Sequence, residues 1–189
     1  MSAEGSAKFH YYGIAQFEIE VIYGALKDVF GRVDEEQLPT EDTQFVSMVE
    51  IEFPIPFGES FFQKFSMDRW HKIKGLLKEM KRRRGGRRGV KAFISFCGIA
   101  PEEIKPRLIF SLMNKNNRNF EMAIEKIEYL VDIIPVQIQI FPATNDNMLD
   151  EIVYCYDEVS FKWNPYSTKY SDGSEYHYLP RTKEWKRTS

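Results

Sequence analysis

A chain of 189 residues with 43% apolar residues is long enough for one domain with a sizeable core, which excludes a wholly disordered chain. The formal charge of −2 excludes a generally cationic nucleic-acid coat, and two cysteines, Cys97 and Cys155, exclude a disulfide framework. The amino terminus lacks a basic segment leading into an apolar one, and no apolar run approaches the roughly 20 residues that span a bilayer, so the reading is of a cytoplasmic protein with no transmembrane segment.

The segment FHYYGIA reads as a short strand. Ile14, Phe17, Val21, Ile22, Ala25, Leu26, Val29 and Phe30 then recur at three- and four-residue steps, a helical stripe closed by Gly31. Residues 32–43 are acidic and apolar-poor, and read as a loop. Phe45, Ser47, Val49, Ile51 and Phe53 alternate with Val46, Met48, Glu50 and Glu52, which predicts a strand ended by Pro54 and Pro56. Ser66 is placed to cap a helix, Asp68 suits the positive end of its dipole, and Trp70, Ile73, Leu77 and Met80 follow at helical spacing as far as about Arg84.

KAFISFC and RLIFSLM are short continuous apolar runs, expected as covered strands on either side of Pro101 and Pro106. Residues 119–134 return to helix, with Phe120, Ala123, Ile124, Ile127, Leu130, Val131 and Ile134 as the buried stripe. VQIQIF then reads as a strand with Val136, Ile138 and Ile140 inward, and residues 151–163 as a hairpin turning near Asp157 and Glu158. The order from 45 to 141 is strand, helix, strand, strand, helix, strand. Two split βαβ units of this kind predict an α+β, ferredoxin-like sandwich, one mainly antiparallel sheet with helices on one face. To it are added an amino-terminal helix and a carboxy-terminal hairpin plus tail. Residues 1–163 read as one domain. Residues 164–189 read as a polar, aromatic extension that lies across the domain or stays mobile.

The strongest functional signal is charge asymmetry. Between Arg69 and Lys91 stand eleven lysines and arginines against one acid, Glu79, while the remaining 166 residues carry a net charge of −12. On the helix, His71, Lys74, Lys78 and Arg82 share a face beside the apolar stripe, so the helix is expected to pack and still present a charged ridge to solvent. The loop RRRGGRRG adds Arg82, Arg83, Arg84, Arg87 and Arg88. Its glycines let backbone N–H groups turn toward phosphate oxygens, and its arginines grip such oxygens in forks. Like charges crowded without counter-acids repel one another unless an anion relieves them.

Lys91 opens the next strand, and Phe93 points opposite to Ala92, Ile94 and Phe96, so it belongs to the open face of the sheet, where a base can stack. Arg88-Gly89 followed by Ala92 to Phe96 looks like half of an RNA-recognition signature. Its spacing is off by one and its strand is entered from a helix, so no family is assigned. The tail alternates aromatic and basic residues, which suits a single strand or a strap.

The catalytic and metal signals are weaker. The glycine loop lacks the Gly-Lys-Ser/Thr ending of a phosphate-hydrolysing loop and follows a helix. His10, His71 and His177 form no ligand spacing, and Cys97 reads as a buried structural thiol. No metal or cofactor is expected. The reading is a non-catalytic nucleic-acid-binding module, for RNA or single-stranded DNA, that uses Lys74, Lys78, Arg82, Arg83, Arg84, Arg87, Arg88, Lys91 and Phe93. The alternative is a protein-interaction or homo-oligomerising subunit that docks its basic loop on an acidic partner. An enzyme with a dispersed active site is the third.

Overall fold

The computed structural model describes residues 5–40, 44–85, 89–100, 106–142 and 148–188. Among these residues nine strands form one sheet in the order β2-β1-β3-β4-β5-β6-β7-β8-β9. In chain order the elements are β1 (Ala7–Tyr12), α1 (Gln16–Phe30), β2 (Val33–Gln37), β3 (Ser47–Phe53), α2 (Glu59–Phe65), α3 (Met67–Arg84) and β4 (Val90–Phe96). There follow β5 (Arg107–Leu112), α4 (Asn117–Glu125), a 3₁₀ turn (Ile127–Leu130), α5 (Ile134–Ile138), β6 (Leu149–Asp157), β7 (Lys162–Tyr170), β8 (Glu175–Leu179) and β9 (Glu184–Arg187).

The mainly antiparallel α+β sheet is as expected, but the split interleaving is not its arrangement. Each helical crossover joins strands that lie side by side: β1 with β2, β3 with β4 and β5 with β6 are all parallel neighbours. The sheet is also longer at both ends. Residues 33–37, read as loop, pair in parallel with β1 as an acidic edge strand, and charge along an exposed edge discourages pairing with another chain. At the other end β7, β8 and β9 make an antiparallel meander, so the aromatic tail extends the sheet and does not lie across it. Its rings meet one another, as in Tyr170 with Tyr176 and Tyr178 with Trp185.

Register separates the two faces. Phe9, Ile51, Ile94, Phe110 and Tyr154 follow one another across five strands, all buried. The described helices all pack on this face. Phe30 of α1 meets Phe53, Phe61 of α2 meets Phe53 and Phe96, and Trp70 of α3 meets Phe61. The indole of Trp163 donates to the carbonyl of Ala123 in α4 at 2.9 Å, and the Tyr154 hydroxyl donates to Gln137 of α5 at 2.7 Å. Each of these large side chains contributes about 1.5–3 kcal/mol by leaving water.

Local signals placed most of the helix ends. Gly31 and Gly85 follow α1 and α3 at φ 70° and 73°, and Ser66 accepts from the Arg69 amide as the cap of α3. Gly13 is required for a different reason: a Cβ there would meet the Val46 carbonyl oxygen at 2.0 Å. α2, a single short helix of seven residues between Gly58 and Ser66, has no separate signal in the sequence.

The region 119–141 departs most from expectation. α4 stops at Glu125, a 3₁₀ turn follows, and VQIQIF is helix and turn. Pro135 sits in the first turn of α5, where its missing N–H costs nothing. The parallel pairing of β5 with β6 requires a crossover, and this segment is part of it. Val136 and Ile140, expected inward, are 63% and 73% exposed.

Candidate functional site

α3 carries the basic ridge, and the ridge does not face solvent along its length. The acids of α4 and of the 3₁₀ turn after it lie against it, because Glu121, Glu125 and Glu128 recur at helical spacing just as Lys74, Lys78 and Arg82 do. Lys74 is buried, with Nζ 2.8 Å from Glu125 and 2.5 Å from Glu128. Lys78 also pairs with Glu125, and Arg82 holds Glu121 with two bonds of 2.7 and 3.0 Å. The Arg82 pair keeps the Glu121 carboxyl below its usual range.

Toward the end of α3, Arg84 and Arg83 converge on Glu18 of α1, a fully buried carboxylate. Five of the nine residues singled out from the sequence, Lys74, Lys78, Arg82, Arg83 and Arg84, are therefore joined to acids of the same chain. Arg87 and Arg88 lie outside the described residues. The missed signal was legible in principle: an acidic helical stripe on 121, 125 and 128 matches the basic one on α3.

Lys81, in the same segment, is paired with no acid among the described residues. Lys81 is 0% exposed, and its Nζ finds no hydrogen bond among the described residues, with the Phe120 ring centroid 5.6 Å away. Burial pushes its ammonium below the ordinary lysine value, against the pull of Glu158. Asn114, which donates to Glu158 at 2.9 Å, likewise leaves its own carbonyl oxygen unsatisfied. Replacing Lys81 with methionine keeps the stem and removes a desolvated charge. The variant is expected to be more stable at neutral pH by about 1–3 kcal/mol, measured by chemical denaturation. Because the folded pKa is depressed, wild-type stability rises with pH up to the unfolded value of about 10.5, and the variant lacks that rise.

Lys91 and Phe93 lie elsewhere, on the helix-free face of the sheet. There Met48, Phe93, Ile109 and Val153 floor a shallow groove of about 300 Å³, with Lys91 toward one end and Glu50, Arg107 and Ser111 at its polar margin. Lys91 sits over the rings of Tyr12 and Phe45 at 5.8 and 5.6 Å. Arg107 reaches Glu52 at 2.9 Å, Glu50 at 3.3 Å and Glu151 at 3.5 Å. His10 adds contacts to Glu50 and Glu36, and Lys8 pairs with Glu52. The face is thus cationic toward Lys91 and acidic toward Arg107.

Cys97, expected buried, is exposed just past the end of β4. Cys155 faces this side, and burial pushes its thiol above the ordinary value against a bond to Ser111, which leaves it a weak nucleophile. Among the described residues no three His, Cys, Asp or Glu side chains converge for a metal ion, and no helix is long and apolar enough to cross a membrane. Fold and surface together define an α+β protein with a one-sided helix layer and a grooved, helix-free sheet face. Comparison of the chain with known protein families, curated proteins and solved structures found no match.

Proposed function

We propose that the protein is a non-catalytic binding module for single-stranded nucleic acid, RNA or DNA, that works through the sheet-face groove. The observation that carries this reading is the joint placement of Lys91 and Phe93 in one groove, at the foot of the chain segment that bears Arg87 and Arg88. A base laid on Phe93 meets Ile109 and Val153 with its face, and the Ser111 hydroxyl and Glu50 carboxylate lie where its edge ends. Lys91 stands on the side where a phosphate would follow.

The internal ion pairs of α3 set the magnitude. If a strand leaves the ion pairs of α3 in place and takes Arg87, Arg88 and Lys91 as its phosphate contacts, the log–log salt dependence of binding to a single strand is expected near −2. A salt titration against single-stranded RNA, single-stranded DNA and duplex measures it. A slope steeper than about −3.5 would instead mean that the strand displaces the acids of α4. Phe93→Ala should weaken binding by about tenfold, since stacking contributes on the order of 1–3 kcal/mol per base. A flat salt response, or unchanged affinity in Phe93→Ala, overturns the reading.

A second reading, a protein-interaction subunit, is favoured by the acids of the same face. Glu36, Glu50, Glu52 and Glu151 repel a polyanion at that end of the groove, whereas a protein of mixed charge meets no such penalty. Absence of oligonucleotide binding at low salt would select it.

A further inference from the structure

The register of the sheet sets the neighbours of Phe93 on the helix-free face. His10 of β1 stands opposite Glu50 of β3, Glu50 opposite Phe93 of β4, Phe93 opposite Ser111 of β5, and Ser111 opposite Cys155 of β6. Neighbouring strands lie about 4.8 Å apart, so the ring has a carboxylate directly on one side and small side chains, a hydroxyl and a thiol, on the other. Glu50 is held in place there: one carboxylate oxygen lies 3.3 Å from Arg107 and the other 3.4 Å from the His10 ring. A carboxylate can accept about four hydrogen bonds, so each oxygen keeps room for a donor that enters the groove.

We infer that Glu50 reads the base stacked on Phe93 and makes the groove selective for guanine. The inference rests on the reading of the groove as a single-strand site. A carboxylate only accepts, so it attracts a base edge that presents donors and repels one that presents lone pairs. Of the four common bases of RNA, guanine alone presents two adjacent donors, N1–H and the N2 amine, which match the two oxygens of one carboxylate as a fork. Adenine and cytosine set an unprotonated ring nitrogen beside their amine, and uracil flanks its single N–H with two carbonyls. With N1–H turned to the oxygen that Arg107 holds, the O6 of guanine lies on the side of that guanidinium.

The charge of the groove argues the same way. A module that took any strand would lose affinity by holding an acid beside its stacking ring, because phosphates and most base edges are repelled by it. Here the acid is next to Phe93 in the register, lines the same groove, and is fixed by two side chains. Rejecting the wrong base is as effective a source of specificity as attracting the right one. On the other side of the ring, Ser111 and Cys155 leave space for the sugar, since the glycosidic nitrogen lies across the base from N1.

Fluorescence anisotropy of the full chain with short labelled oligouridines, each with guanosine, inosine, adenosine, cytidine or uridine at its centre, tests the proposal. The guanosine oligomer should bind about tenfold tighter than the all-uridine one, the size of one good bidentate contact. Inosine, which lacks only the N2 amine, should lose most of that gain. In Glu50→Gln the guanosine and uridine affinities should converge, and the inosine comparison in the wild-type protein decides if that variant folds poorly. Absence of binding to every oligomer overturns the single-strand reading and this inference with it. Equal affinity for guanosine and uridine, equal affinity for guanosine and inosine, or an undiminished preference in Glu50→Gln overturns this inference alone.

Discussion

Replacing Lys74 with alanine lowers the stability of the fold by about 3–5 kcal/mol, the cost of leaving a largely buried carboxylate without its cation. Lys74 is 2% exposed, and Glu128, 13% exposed, accepts from its Nζ and from the Trp70 indole at 3.0 Å. Glu125 is more exposed and keeps Lys78, so the loss centres on Glu128. Urea unfolding should show a lower midpoint with an unchanged slope. A double variant that also changes Glu128 to glutamine should recover much of the loss, because no charge is then left stranded. A loss below about 1 kcal/mol would place the pair among solvated surface bridges and contradict the buried geometry.

The pH dependence of this pair has a defined sign. Burial pushes the Lys74 ammonium down, but its bonds to Glu125 and Glu128 outweigh that and hold it above 10.5. Its contribution is therefore complete below the unfolded value of 10.5 and is lost as pH rises through the higher folded value.

Glu18→Ala is expected to cost about 3 kcal/mol, for two reasons that add. The carboxylate is 0% exposed and receives Arg84 at 2.7 and 3.0 Å and Arg83 at 3.3 Å, so its removal leaves Arg84 partly buried and unpaired. It also accepts the Ala15 amide at 2.7 Å, one of the free donors at the start of α1. Glu18→Gln keeps the amide bond and loses the charge, and should fall between alanine and wild type. Burial pushes the carboxyl up, but the Arg84 bond and the Ala15 amide outweigh it, so the folded value lies below 4.5. The stabilisation is present above pH 4.5 and lost as pH falls through the folded value. Denaturant titrations across that acid limb should be flatter in Glu18→Gln, and an identical acid limb would contradict the assignment.

Much of the fold was legible. The stripe from Ile22 to Phe30, the alternation through β3, the apolar runs of β4 and β5 and the Ser66 cap all depend on neighbours a few residues apart, and they stand where the periodicities of 2.0 and 3.6 residues put them. β2 was missed because an acidic edge strand has no apolar face to announce it. VQIQIF was misread because three alternating aliphatics fit a strand as well as a helical crossover, and the choice between them is made by the parallel pairing of β5 with β6.

The basic segment shows the same division in the candidate site. Its charge, its helical phase and the placement of Phe93 away from the core followed from the sequence alone. That Lys74, Lys78 and Arg82 meet Glu125, Glu128 and Glu121, and that Arg83 and Arg84 meet Glu18, followed only from the tertiary structure. A side chain's helical face depends on residues three or four away. The charge it meets depends on which helix packs beside it, and for Lys74 that neighbour lies more than 50 residues further along the chain.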